Sequence, residues 1–168
     1  MEILLIILLA ITAYLLGSMP SSVWIGKAYF GIDVRDHGSG NAGATNTFRV
    51  LGTQVGIFVL FLDIVKGVTA ASLVHYLDFV MPGTHRFINL QLLFGLLAVV
   101  GHIFPVFEQF KGGKGIATLF GLMIGIHYVL ALSCLALFIV VLLLTKYVSL
   151  SSILAAVAFP IFTIFVFK

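Results

Sequence analysis

A glycine-rich segment at residues 37–49 carries the side chains best suited to binding an anion. Its sequence is HGSGNAGATNTFR, and its glycines, Gly38, Gly40 and Gly43, allow a positive φ and close approach of a ligand to the backbone. Hydroxyl, amide and guanidinium groups accompany them, at Ser39, Asn41, Thr45, Asn46 and Arg49. We expect a phosphate-sized anion site here, to which the free N–H groups of the following helix would add if that helix began within the segment. The alternative is a tight turn with a helix cap, but a cap needs only one of these polar residues.

A second glycine-rich segment, FKGGKG at residues 110–115, has the same physical parts. It supplies two lysines and three glycines directly before an apolar helix, namely Lys111, Gly112, Gly113, Lys114 and Gly115. It is not a Walker A sequence, which needs G-x-x-x-x-G-K-[ST]. Anchoring to anionic lipid headgroups would explain the lysines but not the glycines between them. We therefore expect a second anion site.

His102 ends an apolar run shortly before this second segment. It could serve as a general base, as an anion ligand or as a structural group at a helix end. The chain contains no H-x-x-x-x-D pair, nucleophile elbow or metal-ligand cluster that would assign it a partner in catalysis.

Two further groups of charges lie outside the glycine segments. Asp63 and Lys66 are three residues apart in an apolar run, so one helix face carries both and we expect an ion pair that fixes helix packing, with a proton relay as the alternative. Asp33, Arg35 and Asp36 precede the first glycine segment, and we interpret them as a solvated surface cluster.

The elements that must position these residues are membrane helices. The 168 residues are 61% hydrophobic and only 9% charged, whereas soluble domains are about 25% charged. This composition excludes a disordered chain, a disulfide scaffold and a nucleic-acid-binding domain. It predicts an all-α, polytopic integral membrane helix bundle, built as one membrane-embedded domain over residues 1–168.

The apolar runs predict about six membrane spans. They cover residues 1–19, 53–77, 89–107, 116–145 and 149–167. The first could be a signal peptide, but it begins with Glu2 rather than a basic region, so a retained helix is the better interpretation. The fourth is too long for one span, and we divide it near residues 125–127 into a short helix and a second one at 128–145.

Basic residues indicate the orientation, because Lys and Arg accumulate in cytoplasmic loops. An amino terminus outside gives the cytoplasmic side Lys27, Arg35, Arg49, Lys111, Lys114 and Lys146. The other side receives only Arg86 and Lys168. Both glycine segments then face the cytoplasm, the first within a long polar loop at 21–50.

The motifs resemble those of the bacterial acyl-phosphate-dependent glycerol-3-phosphate acyltransferase family (PlsY type). The resemblance rests on GSGNAGATN at 38–46, GHIFP at 101–105 and FKGGKG at 110–115. GSMP at 17–20, FLDIVKG at 61–67 and KYVSL at 146–150 also resemble the family's pattern, and the matches run in order along nearly the whole chain.

This resemblance implies an enzyme of the bacterial plasma membrane, with its active site facing the cytoplasm. It would transfer a fatty acyl group from acyl phosphate to glycerol 3-phosphate and release lysophosphatidic acid and phosphate, the first acylation of phospholipid synthesis. It implies no metal or organic cofactor, no nucleic acid and no obligate protein partner. Phosphate-binding roles carry over to Ser39, Asn41, Thr45, Asn46, Arg49, Lys111, Gly112, Gly113, Lys114 and Ser149. We expect Arg49 and Lys114 to hold phosphate charge and glycine N–H groups to cradle its oxygens, with Ser39 and His102 as further catalytic candidates.

The chain departs from the family pattern at its carboxy-terminal end, where family members continue into another helix and a polar segment. Donor binding is therefore a safer expectation than full activity. Two other functions stay open at this point: a small transporter for phosphate or organic anions, and a membrane protein that binds lipid headgroups without turnover. Inverted repeats would favour a transporter, and the sequence contains none that is convincing.

Overall fold

The computed structural model is all-α across the residues that the structure describes, 1–166. Eight α-helices follow one another in this part of the chain: α1 (Glu2–Gly17), α2 (Ser21–Phe30), α3 (Ala44–Leu51), α4 (Thr53–Ser72), α5 (His85–Ile103), α6 (Ile116–Ile126), α7 (Tyr128–Thr145) and α8 (Val148–Val166). Phe167, in the last predicted span, and Lys168, in the charge count, lie outside the described residues. The predicted helix bundle is confirmed.

The chain divides into two compact units, Met1–Ile126 and His127–Lys168. The first contains α1 to α6, and in the second α7 packs against α8. The predicted break in the long apolar run is confirmed at His127, where the backbone is extended and the ring accepts a hydrogen bond from the N–H of Leu130 at 3.4 Å.

Helix lengths fit a multi-pass membrane protein. Within residues 1–166, four segments are long and apolar enough to cross a bilayer: Thr53–Tyr76, His85–Glu108, Tyr128–Thr145 and Val148–Phe165. A fifth results if α1 and α2, bent by 44° at Pro20, count as one span. At 11 residues, α6 is shorter than a simple span. The predicted total of about six spans and the orientation stay predictions.

Glycines let the helices of the first unit pack backbone to backbone. A Cβ on Gly17 of α1 would lie 2.0 Å from the carbonyl oxygen of Ala98 in α5. Between α4 and α6, a Cβ on Gly67 would lie 2.1 Å from the carbonyl oxygen of Thr118. Small residues at such crossings allow the close approach that holds helices together in lipid.

Three helix ends meet at one level of α4. The Nζ atom of Lys66 donates to the carbonyl of Met19, just beyond α1, at 3.2 Å. His102, in the last turn of α5, lies 3.7 Å from Asp63, and Thr118 in the first turn of α6 packs on Gly67. Asp63 is ten residues into α4, or about 15 Å along it. Its charge therefore faces helix ends rather than the middle of a helix-lined interior.

The polar segment at 21–50 is more regular than a loop. The expectation of one long loop is wrong, because α2 and α3 occupy much of it and a 3₁₀ turn, Val34–Asp36, lies between them. Phe48 of α3 packs so closely on Gly56 of α4 that a Cβ there would lie 2.4 Å from its ring. This packing seats α3 against the first turn of α4.

Candidate functional site: two glycine loops

The first glycine loop, residues 37–43, turns on two residues with positive φ. Gly38 has φ +62° and Gly40 has φ +72°, a region that costs L-residues free energy. Gly43 does not share this property, since its φ is −116° where it caps α3. The expectation of a positive φ is therefore correct for two of the glycines and wrong for Gly43.

Asn46 closes this loop with its side chain. Its amide group donates to the carbonyls of Val34 at 2.8 Å and His37 at 3.1 Å, and its oxygen accepts from the N–H of Ser39 at 2.8 Å. The side chain is 1% exposed. Both of its N–H donors are thus used inside the protein, so the geometry gives Asn46 a positioning function, while the predicted phosphate contact stays a prediction.

Helix α3 presents one buried and one exposed face beside this loop. Asn46 and Thr47 are buried, and the Thr47 hydroxyl donates to the carbonyl of Gly43 at 3.1 Å. Thr45 and Arg49 are exposed, and their spacing of four residues places them on one face. The loop residues Ser39, Gly38 and Gly40 are exposed, and Asn41 is half-buried. An approaching anion can therefore reach the hydroxyl and guanidinium groups of α3.

The second glycine loop, residues 111–115, is held by its backbone. The N–H of Gly112 donates to the carbonyl of Ile103, and the N–H of Gly113 to that of His102, both at 3.1 Å. Both N–H groups are committed to the end of α5, so the expectation that they cradle phosphate oxygens is corrected for these two glycines.

Space explains why glycine occupies these positions. A Cβ on Gly112 would lie 2.0 Å from the His102 carbonyl oxygen, and one on Gly113 would lie 2.1 Å from the His102 ring. Gly115 has φ +77° and leads into α6. Lys111 and Lys114 are exposed, next to the first N–H groups of α6, which have no acceptors within the helix. These groups are the part of the loop available to an anion.

A buried ion pair, Asp63–Lys66, lies beneath the second loop, with the His102 ring between the pair and the loop. Lys66 lies 2.9 Å from the Oδ1 atom of Asp63, which confirms the predicted pair. The Ser21 hydroxyl donates to the same oxygen at 3.4 Å. The His102 ring, 7% exposed, lies between Asp63 and Gly113. Its geometry fits the structural alternative, and a catalytic role for it stays a prediction.

Sequence reasoning missed an ion cluster that joins the two loops. Glu108 lies within hydrogen-bonding distance of Arg35 and Lys27, and Asp33 contacts the same two cations. The side chains of Arg35, Asp33 and Glu108 are only 19%, 16% and 13% exposed, so the interpretation of residues 33–36 as a solvated cluster is wrong for Asp33 and Arg35. The pattern around Glu108 offered no signal, because its partners precede it by more than seventy residues, as the separation of 73 from Arg35 shows.

Ser149, the remaining predicted ligand, lies in the first turn of α8 in the second unit and is exposed. Its phosphate contact stays a prediction. In the described part of the chain, no group of three or more His, Cys, Asp or Glu side chains could hold a metal ion.

The chain is similar to known proteins over most of its length. The family profile described as glycerol-3-phosphate acyltransferase matches residues 7–168. A glycerol-3-phosphate acyltransferase of Chlorobium phaeobacteroides (strain BS1) is 52% identical, over 94% of this chain and 68% of the relative. One of Fusobacterium nucleatum is 46% identical, over 94% of this chain and 78% of the relative.

Two solved structures have the same fold. Crystal structures of PlsY (YgiH), an integral membrane glycerol 3-phosphate acyltransferase, match with TM-scores of 0.84 for the glycerol 3-phosphate form and 0.81 for the lysophosphatidic acid form. Their sequence identities are 38% and 36%, and the matches cover 96% of this chain and 77% and 76% of those chains.

Proposed function

The chain belongs to the glycerol-3-phosphate acyltransferase family, and from this membership we propose that its two glycine loops carry out acyl transfer between two phosphorylated substrates. The acceptor is glycerol 3-phosphate, the compound named for one of the similar crystal structures. The donor in this proposal is an acyl phosphate. The products are lysophosphatidic acid and inorganic phosphate.

One observation carries the proposal: the segment that leads into the first glycine loop contacts the second glycine loop, although the two are distant in sequence. Arg35, two residues before the first loop, donates from Nη1 to the carbonyl of Lys111 in the second loop at 3.3 Å. Arg49 on α3 and Lys114 in the second loop are both exposed. A reaction between two anionic substrates needs two such sites side by side, because holding the reactants together removes most of the entropic cost of their encounter.

An apolar groove of about 290 Å³ supports an amphipathic donor. It is lined by Thr12, Leu15, Leu16, Met19, Trp24 and Phe107. Met19 lies two residues after α1, where its carbonyl accepts a hydrogen bond from Lys66, and Phe107 directly precedes Glu108 of the ion cluster. A fatty chain in this groove would have its polar end at the level of the loops.

The chemistry needs charge stabilisation more than a protein nucleophile. The hydroxyl oxygen of glycerol 3-phosphate attacks the acyl carbonyl carbon and forms the ester C–O bond. The bond between that carbon and the phosphate oxygen breaks, and phosphate leaves with the electron pair. Arg49 and Lys114 stabilise the departing anion. The hydroxyl proton passes to a phosphate oxygen, since the buried His102 ring lies 3.7 Å from Asp63, beyond hydrogen-bonding distance of that carboxylate.

The protein is a multi-pass membrane protein, and we place it in the bacterial plasma membrane with both loops facing the cytoplasm. The basis is the distribution of Lys and Arg, which favours this side for six of the nine basic residues.

Acyl transfer can be tested with purified protein in lipid, palmitoyl phosphate and labelled glycerol 3-phosphate. We expect labelled lysophosphatidic acid with palmitoyl phosphate and none with palmitoyl-CoA. Arg49→Ala and Lys114→Ala should each lower turnover about 100-fold or more, the magnitude typical of losing one group that stabilises transition-state charge. His102→Ala should keep measurable turnover.

Arg86→Ala is the matched control, because Arg86 is exposed and pairs with Glu2 at 3.6 Å, away from both loops. Its turnover should be that of the unaltered protein. Product from palmitoyl-CoA alone would contradict the proposed donor. Complete loss of turnover in His102→Ala with substrate binding retained would contradict proton transfer to substrate phosphate.

A further inference from the structure

Every N–H group of the Arg35 guanidinium donates a hydrogen bond within the protein. Its Nε and Nη2 donate to the two carboxylate oxygens of Asp33 at 2.9 and 2.6 Å, and Nη2 also donates to Glu108 at 2.6 Å. Its Nη1 donates to the carbonyls of Glu108 and Lys111, both at 3.3 Å. A guanidinium has five N–H donors, and each of the five has an acceptor here. Arg35 therefore has no donor left for a substrate.

The charges of this cluster balance internally. Lys27 lies 3.4 Å from Asp33 and 3.2 Å from Glu108, so two cations face two carboxylates. The hydrogen bond from Arg35 holds the pKa of Asp33 well below its usual range and raises the pKa of Arg35 itself. Asp33 and Arg35 are consequently both charged at neutral pH. Because its net charge is zero, the cluster adds little attraction for a phosphate, unlike Arg49 and the loop lysines.

The cluster joins the segments that lead into the two glycine loops. Asp33 caps the 3₁₀ turn that leads into the first loop and Arg35 lies within it, while Glu108 ends the turn Val106–Glu108 that leads into the second. Between Glu108 and the second loop the backbone has positive φ at Gln109 and Phe110, +55° and +60°. These strained residues are followed directly by the Lys111 carbonyl that Arg35 binds.

We propose that Arg35 and Glu108 form a clip that fixes the second glycine loop against the first, and that both are positioning residues for the transfer reaction. This inference rests on the proposed function. Without the clip, each loop can still bind its own phosphorylated substrate. The attacking hydroxyl and the acyl carbonyl are then no longer aligned with each other. A misplacement of about 1 Å can cost on the order of 100-fold in rate.

The kinetic test uses the full chain in lipid with palmitoyl phosphate and glycerol 3-phosphate. Glu108→Gln keeps the shape of the side chain and removes its charge. We expect kcat to fall about 10- to 100-fold, with KM for each substrate changed less than about threefold. Arg35→Lys should behave similarly, because a lysine cannot reproduce five donors in a planar fork. Glu108→Asp, which keeps the carboxylate, should recover part of the lost kcat.

Two controls separate a clip from general damage. Arg86→Gln removes an exposed ion pair outside the loops and should leave both constants unchanged. The double variant Arg35→Gln/Glu108→Gln should lose little more kcat than the worse single variant, because one broken contact opens the clip. Fully additive losses would show independent roles and would overturn the inference, as would a raised KM with unchanged kcat, the signature of a substrate ligand.

A readout without turnover keeps the clip testable if the proposed function fails. Hydrogen exchange of residues 37–46 should quicken in Glu108→Gln, although the substitution lies in a different segment. Unchanged exchange there would contradict the clip even in an active enzyme. Absence of product from the unaltered protein together with quickened exchange would contradict the proposed function and retain the clip.

Discussion

The two glycine loops have similar compositions but are held in different ways. The first is closed by one side chain, Asn46, which binds three backbone groups. The second pairs its own N–H groups, those of Gly112 and Gly113, with carbonyls at the end of α5. Glycine consequently has two distinct functions, supplying a positive φ at Gly38 and Gly40 and supplying space at Gly112 and Gly113.

This difference follows from what lies beneath each loop. Behind the first loop a buried amide satisfies the turn without any charge. Behind the second loop lie the backbone and ring of His102 and the ring of Pro105, which leave no room for a Cβ on Gly112 or Gly113. Similar sequences can thus predict the same ligand while depending on different contacts, and substitutions should separate the two.

The largest effect on stability should come from the buried Asp63–Lys66 pair beneath the second loop. Asp63→Asn leaves Lys66 buried without its carboxylate, and removing one partner of a buried ion pair costs about 3–5 kcal/mol. We expect a correspondingly lower thermal unfolding midpoint in detergent. Asp63→Asn combined with Lys66→Met should recover most of the loss, because no buried charge then remains unpaired. Failure of the double variant to recover would contradict the pairing.

Breaking the closure of the first loop should have the next largest effect. Asn46→Ala removes three hydrogen bonds, to the carbonyls of Val34 and His37 and from the N–H of Ser39. Each lost bond costs about 0.5–1.5 kcal/mol, since the two carbonyls keep their backbone donors. Hydrogen exchange should rise in residues 37–43 and stay constant in 111–115. An equal rise in both loops would show that the effect of Asn46 is not confined to the first loop.

Crowding the second loop should impair function more than stability. In Gly112→Ala the new Cβ meets the carbonyl of His102, so the loop must move away from α5. Overpacking of this kind costs about 1–3 kcal/mol. We expect turnover to fall about 100-fold because the loop lysines are displaced with it. Gly31→Ala is a useful comparison, since a Cβ there would have no neighbour within 4 Å and only its positive φ is affected.

The smallest effect should follow substitution of Gly40. A Cβ there would lie 3.5 Å from the carbonyl of Arg35, an ordinary contact, so the cost is that of the positive φ, about 1 kcal/mol. Asn tolerates this region better than Ala does. Thermal midpoints should therefore rank the unaltered protein above Gly40→Asn and Gly40→Asn above Gly40→Ala. A clash-driven effect would instead favour the smaller alanine side chain.

Much of the fold was predictable because it depends on local properties. Apolar run lengths indicated the helices, and the excess length of residues 116–145 indicated a break, which occurs at His127. A spacing of three residues in an apolar run was enough to predict the Asp63–Lys66 pair. Helices α2 and α3 escaped prediction because their mixed polar sequence has no long apolar run, and contacts with α4 support them.

The sequence by itself determined that this is a membrane helix bundle with two cationic glycine segments. Hydropathy and side-chain chemistry are properties of each residue, so no folded partner is needed to recognise them. Only the tertiary structure decided which groups stay available to a substrate. The sequence identifies Arg35 as a cation. The structure shows that its five N–H donors are used within the protein, by groups that include Glu108, 73 residues away. A hydrogen-bonding group can be assigned a function only when its partners are known, and in this protein the folded chain brings those partners together.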